Sequence, residues 1–205
     1  HVFGEGNTRT TAVFFIKYLR TLGFDVTNDI FAENAWYFRN ALVRANYNDL
    51  KNGVHETTEY LELFLRNLLL DEKNELMKII QPRKGHFDSL LTECGPPAVR
   101  TKHGIVLMYN GKNSGKTGDA DYPANAYCAG QLLLDGDDPY KVLDRLDKPF
   151  FAPEASFEKS GQYKDGTVFI EGLVYHKRKL YLYYGCADSR VAVAVCDDVK
   201  KLKIK

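Results

Sequence analysis

The segment Val168-Phe-Ile-Glu-Gly-Leu-Val-Tyr175 leads through a short basic connection, His176-Lys-Arg-Lys179, into Leu180-Tyr-Leu-Tyr-Tyr184. Two runs rich in β-branched and aromatic residues on either side of a polar turn predict a β-hairpin. Short strands with frequent turns predict a sandwich, a barrel or a propeller for this half of the chain. Three further runs have the same character: Ile105–Tyr109, Ala126–Leu134 and Val191–Val195. The first is followed by Asn110-Gly111 and the second by Asp135-Gly136, and both dipeptides are turn signals.

The first half of the chain has a different pattern. Apolar residues recur at helical spacing and predict three helices, at about residues 8–22, 28–45 and 56–70. Asn7 or Thr8 can cap the first helix, and Glu62 and Arg66 are spaced as an exposed pair on the third. The expected fold class is therefore α+β, with an all-α segment over residues 1–75 and an all-β segment over residues 76–205.

The composition is that of an ordinary globular protein. Hydrophobic residues make up 44% and charged residues 27%, and the net charge is +1. So small a net charge gives no reason to expect a nucleic acid or an anionic membrane as partner. No apolar run reaches the roughly 18 residues of a membrane span. The four cysteines have no metal-ligand spacing, and we expect buried, reduced thiols.

The opening stretch, residues 1–10, is a glycine-containing loop that feeds the first predicted helix. Gly6 allows close approach of the backbone to a ligand, and free amides at a helix start favour an anion. Arg9 adds a cation with forked donors, Glu5 a metal-binding carboxylate, and His1 a general base. The alternative is a capped loop with a solvated histidine.

This stretch resembles the motif of the Fic family, since His1, Phe3, Glu5, Gly6, Asn7 and Arg9 all match it, while Ala12 replaces its second arginine. The resemblance extends to about residue 75. It implies transfer of AMP from ATP, with Mg²⁺, to a protein hydroxyl. The roles it implies are His1 as catalytic base, Glu5 on the metal, and Gly6, Asn7 and Arg9 on the nucleotide phosphate.

Three carboxylates in the second half lie in apolar or aromatic surroundings. Glu93 precedes a rigid Cys94-Gly-Pro-Pro turn, Glu171 interrupts an apolar strand, and Asp188 follows a strand end. Such carboxylates are costly unless they bind something. A sugar offers hydroxyl groups and an apolar ring face, which suits carboxylate-plus-tyrosine sites. The alternative for each is a hydrogen-bonded structural carboxylate.

The second half resembles glycoside hydrolase family 130 from about Met77 to Asp197. The stretches that carry the resemblance start at Pro82, Glu93, Tyr109, Asp138, Phe157, Phe169 and Tyr183: PRKGHFDS, ECGPPA, YNGKN, DPYKVLDR, FEKSGQY, FIEGLVY and YYGCADS.

This resemblance implies a five-bladed propeller that acts on β-mannosides as an inverting phosphorylase or hydrolase. Tyr109-Asn110-Gly111 stands where the phosphorylases have Tyr-His-Gly, which, with Glu93, favours the hydrolase branch. Glu93 is then the general base that activates water. Arg83, Asn110 and Asp188 are expected sugar contacts, with Glu171 as a further substrate-binding candidate. A β-mannoside oligosaccharide is the expected partner, and no cofactor is expected.

Three hypotheses follow for the chain as a whole. It is a family 130-like glycosidase fragment with an incomplete site, a Fic-type AMP transferase, or a fused and inactive frame. The two resemblances meet across Lys73–Leu76 without a linker. Partial sheets leave open edges, so we also expect aggregation or oligomerisation.

Overall fold

The computed structural model describes residues 6–196, with the side chain of Asn52 left out. The chain divides into two compact units, with the boundary between Lys78 and Ile79. The first unit is helical and the second contains the sheets. No helix among the described residues is long and apolar enough to cross a bilayer.

The helical unit is built around a group of aromatic rings. Phe64 is fully buried and packs against Phe31 and Phe38, with ring centroids 5.0 and 4.9 Å away. Ile16 and Leu19 add aliphatic surface from the first helix. The helices are α1 (Asn7–Thr21), α2 (Asp29–Glu33), α3 (Ala35–Arg44) and α4 (Glu59–Leu70), with a short 3₁₀ turn at Leu50–Asn52.

The structure corrects three details of the predicted helices. The helix expected at residues 28–45 breaks at Asn34, whose φ of −125° is not helical and whose side-chain amide donates to the Ile30 carbonyl. The residue before α1 is Gly6 in the left-handed region, so neither Asn7 nor Thr8 is the cap. Arg66 pairs with Glu72, while Glu62 accepts the Thr58 hydroxyl at 2.6 Å.

The second unit contains two antiparallel sheets. The larger has five strands in the order β1-β3-β4-β5, with β2 also paired to β3, and the smaller has the order β6-β7-β8. The strands are β1 (Leu91–Cys94), β2 (Val99–Thr101), β3 (Gly104–Lys112), β4 (Tyr127–Leu134), β5 (Val142–Arg145), β6 (Val168–His176), β7 (Lys179–Cys186) and β8 (Arg190–Cys196).

The hairpin expected around residues 176–179 forms between β6 and β7. Its two-residue turn, Lys177-Arg178, has φ of 46° and 66°, the left-handed geometry that a tight hairpin requires. The turn expected at Asn110-Gly111 does not form, because β3 runs on through both residues to Lys112. A Cβ on Gly111 would lie 2.7 Å from that of Asp88, so this glycine is needed for packing rather than for a turn.

A fold that mixes helices and sheets is therefore confirmed, whereas a five-bladed propeller is not demonstrated. Within residues 6–196 both sheets are open and neither closes on itself. The expectation for the cysteines is half right. None of the four forms a disulfide, but only Cys128 and Cys186 are buried, while Cys94 and Cys196 are exposed.

The two faces of β3 meet different neighbours. Tyr109 and Gly111 lie on one face, together with Phe87, Cys128 and Leu132. Met108 and Asn110 lie on the other, towards Ile170 of the smaller sheet. This alternation follows from the period of two in a strand. It places two separate groups of polar side chains on opposite sides of one sheet.

Candidate functional site

Four polar side chains share the face of the larger sheet that looks towards β6. Glu93 of β1 pairs with Asn110 of β3, and Lys112 pairs with Tyr127 of β4. Residues directly opposite each other in an antiparallel pair point to the same side, and so do residues two apart in one strand. The register therefore brings Glu93, Asn110, Lys112 and Tyr127 to one face.

Tyr127 is the centre of this group. Its side chain is hydrogen-bonded to that of Glu93, and burial, followed by the charges of Glu93 and Asp188, raises the pKa of Tyr127 to about 12. The ring of Phe169 meets it edge-on at 5.5 Å. A tyrosine with so high a pKa keeps its proton at neutral pH. It can therefore donate a hydrogen bond to the Glu93 carboxylate.

A lysine lies over two tyrosine rings in the same group, and the rings of Tyr127 and Tyr163 meet edge-on with centroids 5.7 Å apart. The Lys112 ammonium lies 5.2 Å from the ring centroid of Tyr127 and 5.4 Å from that of Tyr163. Both distances are within the range in which a cation is attracted to an aromatic face. The Tyr163 hydroxyl donates to the Asn125 carbonyl at 2.7 Å, which fixes the second ring.

Asp188 is placed by the turn between β7 and β8. Ala187 and Asp188 have φ of 49° and 51°, a left-handed pair that reverses the chain. The loop before β6 packs against this turn, where the Tyr163 amide donates to the Ala187 carbonyl at 3.1 Å. Gly161 is required there, because a Cβ would overlap the Ala187 carbonyl oxygen. Tyr163 and Asp188 are thereby held on the same side as Tyr127.

An open surface depression of about 530 Å³ lies at this turn, lined by Gln162, Asp188, Ser189, Arg190 and Val191. We define the mannoside cluster, named for the sugar that the family 130 resemblance implies, as Glu93, Lys112, Tyr127, Tyr163 and Asp188. The cluster supplies two carboxylates, one ammonium and two aromatic rings, of which Asp188 is exposed and the others are half-buried. Such a set can bind hydroxyl groups and the apolar face of a ring at once.

Arg83, expected beside Glu93, belongs to a different group. It binds the fully buried Asp88 carboxylate at 3.0 Å and the Leu146 carbonyl at 2.7 Å. Arg145 and the Tyr109 hydroxyl also bind Asp88, at 2.6 and 2.7 Å. Tyr109 is on the opposite face of β3 from Asn110. The structure therefore does not bring Arg83 together with Glu93. We name Asp88, Arg83, Arg145 and Tyr109 the arginine network.

Asn110 and Glu171 are placed unlike the remaining candidates. Asn110 is fully buried, and its side-chain amide is bonded to the backbone of Ile170. Glu171 is exposed and stands at an irregularity in β6, where the register with β7 shifts between Ile170 and Gly172. Of the expected sugar contacts, the structure thus gathers Glu93 and Asp188 around Tyr127, while Asn110 reaches the same face as a buried group.

The nucleotide-binding candidates are only partly described. His1 and Glu5 lie outside the described residues. Gly6, Asn7 and Arg9 form the start of α1, and the Arg9 guanidinium lies beside Gly6. Residues 6–196 contain no group of three or more histidine, cysteine or acidic side chains that could hold a metal.

Lys112, Tyr127 and Tyr163 were not among the predicted site residues. The alternation of side chains in β3 and β4 could have pointed to two of them. Lys112 lies two residues from Asn110 and Tyr127 two residues from Ala129, on the same face of the sheet. What the pattern lacks is the register, without which the two strands cannot be aligned. Tyr163 sits in a loop, and its place depends on the β7–β8 turn.

Carboxylates beside tyrosine rings form a set of side chains that suits a sugar. Comparison with known proteins gives the family. The family model described as β-1,4-mannooligosaccharide phosphorylase matches residues 37–204. The chain therefore belongs to glycoside hydrolase family 130. The match begins inside the helical unit and lends no support to the Fic resemblance.

Solved structures are similar over somewhat less than two thirds of the chain. The chain is 94% identical to a candidate glycoside hydrolase from Bacteroides ovatus ATCC 8483, with a TM-score of 0.61, over 65% of this chain and 39% of that one. It is 63% identical, with a TM-score of 0.59, to a protein from a study of the GH130 family of mannoside phosphorylases; the shared part is 62% of this chain and 35% of that one. That study concerns family members that are glycoside hydrolases targeting β-1,2 mannosidic linkages in Candida mannan.

Curated relatives are more distant. The chain is 33% identical to a 1,2-β-oligomannan phosphorylase of Thermoanaerobacter sp. strain X514, over 60% of this chain and 38% of the relative. It is 34% identical to a β-1,2-mannobiose phosphorylase of Listeria innocua serovar 6a, over 56% of this chain and 29% of the relative. The chain thus spans about a third of the length of these relatives.

Proposed function

We propose that this chain binds β-1,2-linked mannosides at the mannoside cluster and takes part in their hydrolysis, with Glu93 as the general base. The observation that carries the proposal is the grouping of Glu93 and Asp188 around Tyr127. Neither carboxylate has a sequence neighbour that explains this grouping. It arises only when β1, β4 and the β7–β8 turn come together.

The chemistry assigns a role to each side chain. The Tyr127 hydroxyl holds the Glu93 carboxylate in place, so that Glu93 can take a proton from an attacking water. Inverting glycosidases use one carboxylate in this way and a second carboxylic acid, on the far side of the sugar, to protonate the leaving oxygen, and the mannoside cluster supplies the base of this pair. Asp188 and the ring of Tyr163 contact the sugar hydroxyls and its apolar face. The Lys112 ammonium lies over both rings, which contact each other edge-on.

Two comparisons favour hydrolysis and the β-1,2 linkage over the alternatives. The identity of 63% is to a protein studied together with hydrolases of β-1,2 mannosidic linkages, whereas the curated phosphorylases are 28–34% identical. The buried Asn110 stands where the resemblance places a phosphate-binding histidine. An amide that is already bonded to the backbone is not available to phosphate.

Calorimetry and product analysis test the proposal on the full chain. We expect binding of β-1,2-mannobiose that is at least about tenfold tighter than binding of β-1,4-mannobiose, a difference that a few hydrogen bonds supply. We expect free mannose as the product whether or not phosphate is added. Glu93→Gln should lower mannose release by about 10²–10⁴-fold and change the affinity far less, because a general base acts in the transition state.

Glu154→Gln is the matched control, since it makes the same charge change at an exposed glutamate outside the cluster. It should leave both binding and release unchanged. Absence of binding to either disaccharide by the wild-type chain contradicts the proposal as a whole. A product that forms only with phosphate, as mannose 1-phosphate, contradicts hydrolysis and leaves mannoside binding standing.

A further inference from the structure

One buried side chain joins three strands beside the mannoside cluster. The Asn110 amide nitrogen donates to the Ile170 carbonyl at 3.0 Å and to the Cys94 carbonyl at 3.4 Å. The amide oxygen accepts the Ile170 N–H at 2.7 Å. Asn110 has no exposed surface. The Asn110 side chain therefore binds both the N–H and the carbonyl of Ile170, as the backbone of a neighbouring strand would.

The two backbone positions that Asn110 binds are adjacent to two acidic residues. Cys94 follows Glu93 at the end of β1, and Ile170 precedes Glu171 in β6. Ile170 pairs with Tyr184 and Gly172 with Tyr183, so Glu171 is the extra residue of a bulge. Bulges re-aim side chains near active sites, and they need something to hold them.

We propose that Asn110 is a positioning residue, which ties the Glu93 end of β1 to β6 at the Glu171 bulge and so positions Glu93 in the mannoside cluster without touching the sugar. This inference rests on the proposed function for its consequence in binding. Its structural half, the attachment of Ile170 to Asn110, can be measured without any ligand.

The amide group suits this position better than other side chains of its size. A carboxylate could accept the Ile170 N–H but would face two carbonyl oxygens without a proton to donate. A leucine has nearly the same shape and would leave the Ile170 N–H and carbonyl without their buried partner. Both changes remove bonds that burial makes valuable.

Asn113 offers a matched control three residues further along. It is also buried, at 1% exposure, and its amide likewise joins backbone groups. It donates to the Asp119 and Tyr122 carbonyls at 2.9 Å and accepts the Asp119 N–H at 2.9 Å. Those bonds hold the loop at residues 113–123 and do not reach β1 or β6.

The test compares Asn110→Leu with Asn113→Leu in the full chain. Amide hydrogen exchange, read by NMR, should speed up by about tenfold at Ile170 in the first variant and at Asp119 in the second. The affinity for β-1,2-mannobiose should fall by about tenfold in Asn110→Leu only. Asn113→Leu should bind within about twofold of the wild-type chain although it loses similar stability in urea.

Each outcome bears on one claim. Lack of binding by the wild-type chain overturns the proposed function. A wild-type chain that binds, with an Asn110→Leu variant that binds within twofold of it, overturns the positioning role. Equal losses of affinity in both leucine variants overturn it too. Should Asn110→Leu not fold, Asn110→Asp replaces it, because it keeps the acceptor for Ile170. That variant should protect the Ile170 amide and still bind the disaccharide about fivefold or more weakly.

Discussion

The arginine network and the mannoside cluster lie on opposite faces of β3 and use similar side chains to different ends. In the arginine network, the Asp88 carboxylate is fully buried and accepts from Arg83, Arg145 and Tyr109. In the mannoside cluster, the carboxylate of Asp188 is exposed, and the Lys112 ammonium lies over rings rather than against a buried acid. One group is closed within the fold and the other opens to solvent.

The central tyrosines show the same contrast. Burial raises the pKa of Tyr109 to about 12, while the hydrogen bond from Arg145 works in the opposite direction. For Tyr127, burial and the neighbouring charges of Glu93 and Asp188 act in the same direction and together raise the pKa to about 12. The arginine network sets one carboxylate against two guanidinium groups, whereas the mannoside cluster sets two carboxylates beside one ammonium. The two groups therefore carry opposite excess charge.

Removing the Asp88 carboxylate is the strongest way to test the structural role of the arginine network. Asp88→Ala leaves Arg83 and Arg145 without the acid that both of them bind. We expect the free energy of unfolding to fall by about 3–5 kcal/mol, because breaking a buried ion pair leaves uncompensated charge. Urea denaturation measures it.

Asp147→Ala is the matched control for that variant. Asp147 also pairs with Arg83, at 3.4 Å, but its side chain is 82% exposed. Its loss should change the unfolding free energy by less than about 1 kcal/mol. Similar losses for Asp88→Ala and Asp147→Ala would mean that burial does not distinguish the two acids.

Some strands of the two sheets could be predicted from the sequence, and others could not. The strand β4 is largely apolar and β8 alternates with valine, and their prediction needed no tertiary information. The strands β1, β2 and β5 are short and half polar, so they form only because β3 and β4 offer partners. Asn110-Gly111 carries the composition of a turn, yet tertiary contacts with Ile170 and Phe87 keep it in a strand.

The same limit applies to the candidate site. Glu93 and Asp188 were predicted from their unusual neighbours in sequence, and both lie in the mannoside cluster. Arg83 was expected with them and lies in the arginine network, because nothing in the sequence reports which face of β3 a loop residue will reach. Lys112, Tyr127 and Tyr163 needed the strand register and the turn geometry.

The pH dependence of stability offers a test of Tyr109. Its folded pKa of about 12 exceeds the ordinary value of 10. Above pH 10 the unfolded chain loses this proton and the folded chain keeps it. The contribution of Tyr109 is therefore fully present below pH 10 and is lost as the pH rises towards 12. Tyr109→Phe should remove up to about 1.4 kcal/mol per pH unit of that decline. An unchanged slope in urea titrations over this window would contradict the assignment.

Packing on the arginine-network face tolerates no extra atoms. A Cβ on Gly130 would overlap the Tyr109 ring and lie 2.7 Å from Phe87. Gly130→Ala should cost about 1–3 kcal/mol in unfolding free energy through overpacking. Gly172→Ala is the control, because its nearest neighbour would be the Tyr183 Cβ at 3.6 Å. Equal thermal stability of the two variants would contradict the packing of this face.

Removal of the Tyr127 hydroxyl tests the mannoside cluster. Tyr127→Phe keeps the ring under Lys112 and removes the hydrogen bond to Glu93. We expect the affinity for β-1,2-mannobiose to fall by about tenfold, since a hydrogen bond to a charged group is worth about 1.5–3 kcal/mol and water replaces part of it. Tyr175→Phe removes an exposed hydroxyl and should leave the calorimetric affinity unchanged. A similar loss in both variants would remove Tyr127 from the proposed site.

Two of the cations that lie over tyrosine rings, Lys112 and Arg145, give the smallest expected effect and the closest matched pair. Arg145 lies 4.9 Å from the Tyr109 ring centroid and also binds Asp88, whereas Lys112 lies 5.2 Å from that of Tyr127. Methionine keeps most of either stem and removes the charge. Lys112→Met should lower the unfolding free energy by only about 0.5–1 kcal/mol, the value of a partly exposed cation–π contact. Arg145→Met should lower it several times more, because the buried Asp88 carboxylate then also loses one of its ion-pair partners. If the two variants lost the same stability in urea, the Lys112 ammonium would be as firmly built into the fold as Arg145. The mannoside cluster would then be a second structural network rather than a site.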